Sequence, residues 1–451
     1  MKKKILLLSD DLRMTSGIST MSKELVLGTV DKFDWVQLGA AVTHAQNNLI
    51  VDCNDDVRKR TGIEDANVKI YPSTGYGDIT RLRKIIKDEK PDAILHFTDP
   101  HYWTWLYDAE HEIRQQVPLM YYHVWDNVPD PVYNRNYYES CDWIGCISKL
   151  TYGIVKRVGS IKEHDTQKPL EDWQVAYMPH GINPDMFKPL AKVSDEIRKP
   201  IMGDKEYNFI LFYNNRNIRR KQTSDVIYAY KLFCDKLTKE ESDKCLLLMH
   251  TTPVDTNGTD LNAVVENLCP DYDVKFTTTK LEQDKLNEIY NISDCTINIA
   301  SNEGFGLTTA ESIMAGTPII VNVTGGLQDQ CGFDYTAEDF VDVKSLHNKK
   351  MGYITSGKWA RPVWPAAINL NGSVATPFIY DDRVNDEDVA EAIHEMYMRG
   401  RTKRKFDGAE GRKWALENLS SKNMCDIFVK GVEDTLANYK PRKRYDLYKI
   451  I

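Results

Sequence analysis

The feature that most restricts what this chain can fold into is the run 299–330, where a glycine loop and a helical stretch lie between apolar segments. Residues 295–300 read as a strand that ends in a polar loop, Asn302 to Gly306. A short helix is expected next, with Thr308 or Thr309 as its N-cap and with Gly316 and then Pro318 as its stop. A second apolar strand over 318–323 leads to another glycine turn at Gly325 and Gly326. Strand, loop, helix and strand make a βαβ unit, whose loop and helix N-terminus present backbone N–H groups to an anion. Two acids, Glu303 and Glu311, stand seven residues apart around that anion position. Phosphate itself would repel them. They suit an anion flanked by neutral hydroxyls, such as a diphosphate between a ribose and a hexose. A plainer reading of each acid alone also stands: Glu311 in a capping box with Thr308, and Glu303 as a loop surface charge.

Glu303, Gly304, Phe305, Gly306 and Leu307, followed by Glu311 and the Ala315-Gly-Thr-Pro turn, resemble the donor site of GT-B glycosyltransferases, specifically the retaining enzymes of family 4. The resemblance implies an α/β chain of GT-B type: two Rossmann-like domains with parallel sheets facing across a cleft. The first domain, 1–190, would present the acceptor, and the second, 205–430, would hold the nucleotide sugar. The tail 431–451 would return to the first domain.

Composition agrees with a globular, multidomain chain. Its 451 residues are enough for two or three cores, with 42% hydrophobic and 27% charged residues. The net charge of -8 gives no global pull toward nucleic acid or acidic lipid, leaving only local basic runs, 399–405 and 440–444, for a polyanion. The nine cysteines are scattered without C-x-x-C spacing, so neither a zinc ribbon nor a redox pair is indicated. The apolar run after Met1-Lys-Lys-Lys is too short for a signal sequence, and no stretch reaches transmembrane length. A cytoplasmic location is expected.

In the first half, apolar runs at 4–9, 35–38, 68–71, 93–97, 119–123 and 143–148 alternate with helical patterns such as 78–88 and 105–115. That order implies a parallel sheet covered on both faces, with ligands at the carboxyl ends of its strands. Gly17, in the loop and helix after the first strand, occupies the place of a cleft-facing glycine in the resembling family; a simple turn is an equal reading of the residues. His123 ends one strand and is a candidate general base for an acceptor hydroxyl, or a sugar contact, because its ordinary pKa lies near neutrality. Asp126 follows it, with Val124 and Trp125 between. Tyr102, Trp103, Trp105 and Trp125 are candidate stacking platforms for the acceptor, or else core aromatics. The segment around His180 resembles the family's crossing into the second domain, and the charged stretch 192–205 reads as a linker.

In the second half, a strand over 208–213 leads into Arg216 and Lys221, which keep the family's arginine-to-lysine spacing. Asn215 and Gln222 replace the family's glycines there, which predicts a looser turn. Cations at this place suit a nucleoside diphosphate leaving group, which gathers negative charge as the glycosidic bond breaks. By resemblance, Arg216 and Lys221 would stabilise the diphosphate together with the backbone of Gly304 to Leu307. Glu311 would hold the ribose and Glu303 the donor sugar, and residues near His250 and Thr277 would meet the base. Residues 331–375 read as an insertion of loops and short strands. Amphipathic helices are expected at 386–398, 408–416 and 421–436.

The expected activity is therefore metal-independent transfer of a sugar from a UDP- or GDP-linked donor to an acceptor hydroxyl, with retention. The nucleotide sugar is a co-substrate, and no resident cofactor or metal is expected. A glycan, a small molecule and a hydroxymethylated DNA base all remain open as acceptor, the last disfavoured by net charge. Two other classes remain: an epimerase or phosphorylase on the same fold, and a non-catalytic sugar-nucleotide scaffold.

Overall fold

A computed structural model gives the architecture; it describes residues 2–42, 49–161, 169–341 and 355–443. The chain forms two compact units. Unit 1 comprises Met1–Trp125, Asp130–Gly181 and Ser421–Ile451, and unit 2 comprises Asp126–Pro129 and Ile182–Ser420.

The strands of unit 1 are β1 (Lys3–Asp10), β2 (Phe33–Val42), β3 (Val51–Asp52), β4 (Val68–Thr74), β5 (Ala93–Phe97), β6 (Leu119–His123), β7 (Trp143–Cys146) and β8 (Val175–Tyr177). They form one sheet in the order β3-β4-β2-β1-β5-β6-β7-β8. All neighbours are parallel except β3 against β4. Ile5, Leu6, Leu7 and Leu8 of β1 are fully buried, as expected of a central strand covered on both faces. The helix Ser421–Asn438 packs on this unit, with Gly431 against the Trp143 indole and Phe428 stacked on Trp35 at 5.7 Å.

Unit 2 contributes β9 (Phe209–Asn214), β10 (Cys245–His250), β11 (Val274–Thr277), β12 (Cys295–Asn298), β13 (Ile319–Asn322) and β14 (Ala360–Val363), in the order β11-β10-β9-β12-β13-β14. Every pairing in that sheet is parallel. A separate antiparallel ribbon joins β15 (Ala367–Asn371) to β16 (Ile379–Arg383).

Three sequence expectations change. The stretch 192–205, read as a linker, carries the helix Asp195–Met202, whose Ile197, Ile201 and Met202 are buried; its many charges mark the solvent face. The stretch 331–375, read as an insertion of loops and short strands, does carry short strands, but β14 belongs to the main sheet and β15 to the ribbon; residues 342–354 within it lie outside the described residues. The helix expected at 408–416 runs over Gly400–Asn418, so it takes in most of the basic run 399–405.

That longer helix buries an ion pair. Arg404 donates to Asp294 Oδ1 at 2.8 Å and to the carbonyls of Met396 and Tyr397 at 3.0 Å each, and its guanidinium lies over Phe209. Asp294 also accepts from the Ile210 N–H of β9 at 3.0 Å. Replacing Arg404 with Met leaves Asp294 buried without its main cation, since Arg401 approaches only to 3.9 Å and is exposed. We expect a loss of roughly 3–5 kcal/mol in urea unfolding; a loss under about 1 kcal/mol would contradict the pair's role.

Candidate active site

The site is built where β9, β12 and β13 of unit 2 end. After β12 the chain makes the loop Ser301 to Gly306 and enters the helix Leu307–Ala315. Gly306, not Thr308 or Thr309, is the N-cap, with φ +88° and no side-chain capping bond. A Cβ there would stand 2.5 Å from Leu327 Cδ2, so glycine is needed for both conformation and space. The Thr309 hydroxyl instead donates to the Gly306 carbonyl at 2.9 Å. The first-turn N–H groups are therefore not capped by any side chain, the arrangement an anion requires. Gln330 fixes the loop from below, donating to the carbonyls of Phe305 at 2.6 Å and Gly306 at 3.0 Å. Phe305 itself is buried.

An acid and a cation meet beside this loop. Lys221 donates to Glu303 Oε2 in a buried ion pair, and Arg220 Nη1 lies 4.0 Å from the same carboxylate while donating to the Asn302 carbonyl at 2.6 Å. Burial alone would raise the Glu303 carboxyl; Lys221 and Arg220 outweigh it and hold it below its ordinary value. Glu303 is an ionised acid in a mostly enclosed place. Arg220 was not singled out from the sequence. Arg216 keeps the expected spacing but points its guanidinium at Asp255, 3.1 Å away, and is largely exposed. The turn between them is not loosened by the missing glycine: Gln222 itself takes the left-handed conformation at φ +52°.

Glu311 sits in the second turn of the helix and accepts from the Tyr290 hydroxyl at 2.7 Å; Tyr290 in turn accepts from Asn214 at 3.3 Å. Among the described residues no cation pairs with it, and burial pushes the Glu311 carboxyl up to about 7. Asp126, expected to meet the acceptor from the first domain, belongs to unit 2 instead. Its carboxyl is raised by burial and by Glu303, against the lowering effect of Arg220 and Lys221. The segment is held there by Tyr380, whose N–H donates to the Val128 carbonyl at 2.8 Å, and by Gly325, where any Cβ would stand 2.7 Å from the Asp126 carbonyl oxygen.

The remaining expected residues lie in unit 1. Gly17 opens the helix Gly17–Leu27 behind the N-cap Ser16. His123 does not fit a general base or a sugar contact. Its Nδ1 meets the Tyr121 hydroxyl and its Nε2 the Tyr138 hydroxyl, each at 2.9 Å, and burial pushes its pKa down to about 3. Trp103 is fully buried and cannot stack on a ligand. Tyr102 is 58% exposed and stacks on Tyr76 at 4.7 Å, and Trp125 packs edge-on against Tyr133 at 5.9 Å.

The chain is similar to known proteins in one segment of its sequence and in its fold. Residues 157–353, which hold Lys221, Glu303 and Glu311, match the model of a family described as "Family 4 Glycosyltransferase in conflict systems". The structure resembles a glycosyltransferase from Rickettsia africae ESF-5, with TM-score 0.64, 16% identity, and 97% of this chain and 99% of that one covered. It resembles Anabaena HepE in complex with UDP and glucose, with TM-score 0.64, 12% identity, and 96% and 99% covered. It also resembles sucrose-phosphate synthase from Thermosynechococcus elongatus, with TM-score 0.64, 14% identity, and 97% and 100% covered. No curated protein matches by sequence. The class defined by the fold is therefore GT-B. The segment 157–353, less than half of the chain, is similar to the family 4 glycosyltransferases.

Proposed function

We propose that this protein transfers a sugar from a nucleoside diphosphate donor, UDP-linked as the first choice, to an acceptor hydroxyl with retention of anomeric configuration. The observation that carries the reading is the Lys221–Glu303 pair set beside a helix N-terminus that no side chain caps. The diphosphate lies over the first turn of the helix Leu307–Ala315, where Lys221, Arg220 and a swung-in Arg216 meet the charge that grows as the C1–O bond breaks. Glu311 accepts from the ribose hydroxyls. Glu303, kept ionised, accepts from hydroxyls of the departing sugar. The acceptor oxygen attacks from the leaving group's own face, and its proton passes to the departing diphosphate oxygen. UDP is preferred because HepE was solved with UDP and glucose. A reducing, cytoplasmic setting suits nine cysteines that are all free thiols. Among the described residues no helix is long and apolar enough to cross a membrane.

The test is slow hydrolysis of a panel of UDP- and GDP-sugars by the purified chain, which needs no acceptor. Release of nucleoside diphosphate and free sugar from one donor is expected. Net transfer to an added acceptor then separates transfer from epimerisation. If no panel member is hydrolysed and none raises the melting temperature, the reading is wrong.

A further inference from the structure

A cavity of about 450 Å³ opens in unit 2 beside the turn after β9, lined by Arg219, Arg220, Ser224, Thr259 and Arg383 among others. Neither Lys221, Glu303, Glu311 nor any residue of the loop Gly304 to Leu307 lines it; Arg220 alone belongs to both places. Its cations come from two separate elements: Arg219 and Arg220 from the turn after β9, and Arg383 from the ribbon strand β16. Two carboxylates also line it, and both are engaged. Asp225 is held by Arg383 at 2.6 Å, and Asp381 accepts from Ser301 at 3.2 Å and Asn302 at 3.3 Å. Arg219 is exposed, and among the described residues its guanidinium has no ion-pair partner. The chain carries a net charge of -8, yet here it gathers three arginines around one hollow.

The walls are fixed before any ligand arrives. Asn217 is buried and donates to the carbonyls of Thr252, Pro253 and Thr259 at 3.2, 3.1 and 2.7 Å, tying the loop after β10 to the turn after β9. Gly258 packs directly on Asn217, where a Cβ would overlap its side chain and carbonyl. A tetrahedral oxyanion needs donors from several directions, and planar guanidinium forks with hydroxyls beside them meet that need.

We propose that this cavity is a second anion subsite, which binds a phosphate group other than the donor diphosphate. The inference rests on the donor reading above, since it takes the diphosphate to lie at the helix Leu307–Ala315. Free phosphate and a phosphorylated acceptor share this chemistry.

The test is equilibrium dialysis of the full chain against radiolabelled inorganic phosphate. Two bound phosphates per chain are expected; Arg219→Ala leaves the donor-loop site alone, and Lys221→Met leaves the cavity site alone. Ser224→Ala, a milder change, weakens the cavity site about tenfold, the loss of one hydrogen bond to a charged group. Unchanged stoichiometry in Arg219→Ala overturns the proposal. If Arg219→Ala loses one phosphate and Lys221→Met loses none, the donor reading falls and the cavity stands. Glucose 6-phosphate is the second probe: a larger loss of its binding than of phosphate binding in Arg219→Ala assigns the site to a phosphorylated acceptor, and equal losses assign it to the free ion.

Discussion

Lys221→Met is expected to lower sugar transfer, or donor hydrolysis, by about 10²–10³-fold, the usual effect of removing one group that meets developing negative charge. The same change has a structural cost. Lys221 and Glu303 are both largely enclosed, with 9% and 13% of their side chains exposed, and Arg220 stands 4.0 Å from the carboxylate. Leaving Glu303 buried with only that distant partner costs on the order of 3 kcal/mol in urea unfolding. The two effects separate in the double variant. Adding Glu303→Gln removes the stranded charge and restores most of the stability, while turnover stays lost. Recovery of turnover together with stability would show that Lys221 acts only by holding the loop.

Glu311→Gln is expected to change the pH dependence of both stability and donor binding. The Glu311 carboxyl is raised from 4.5 to about 7 by burial, so the folded state holds its proton more tightly than the unfolded chain. A raised carboxyl contributes fully below its ordinary value, and the contribution is lost as the pH climbs through about 7. A shift of that size corresponds to roughly 3 kcal/mol lost between pH about 4.5 and pH about 7. The glutamine variant carries no such loss, so it should be the more stable protein at pH about 8 and no more stable at pH about 4. Donor affinity runs the other way. Only the carboxylate can accept from both ribose hydroxyls while holding Tyr290, so wild-type affinity should rise through neutrality. The variant should bind about 10–100-fold more weakly with a flat profile, the value of a hydrogen bond to a charged group. Titrations across this range with unfolding monitored in parallel check both halves; parallel stability curves for the two proteins would refute the assignment.

Much of the fold was legible because its strands are continuous apolar runs with no polar face to confuse them. Strands 93–97 and 119–123 fall where the sequence puts them, and the helix Asp386–Met398 starts behind its expected cap Asn385. The strand, loop, helix and strand over 295–322 were legible as well, since glycines and a proline at fixed positions leave few alternatives. The cation side was only half legible. The resembling family's spacing pointed to Arg216 and Lys221, but the side chain nearest Glu303 after Lys221 is Arg220, and a three-arginine stretch gives no periodic signal of which one turns inward. His123 and Trp103 misled for another reason. A histidine at a strand end, or a tryptophan in the loop after one, looks the same in sequence whether it faces solvent or is closed over by side chains distant along the chain, as Tyr138 closes over His123. Asp126 was unreadable in kind, because four residues of one unit's connection are claimed by the other.

That interleaving has a consequence for how the molecule is made. Unit 1 takes its last pieces from Ser421 onward, and the helix Ser421–Asn438 supplies Phe428 to Phe33 and Trp35 and lays Gly431 on Trp143. During synthesis the first-made sheet must therefore wait, with those aromatic faces uncovered, until the chain as far as Asn438 has left the ribosome. A chain ending at Ser420 would keep every residue of the loop after β12 and still be expected to clump, because its oldest part is never sealed.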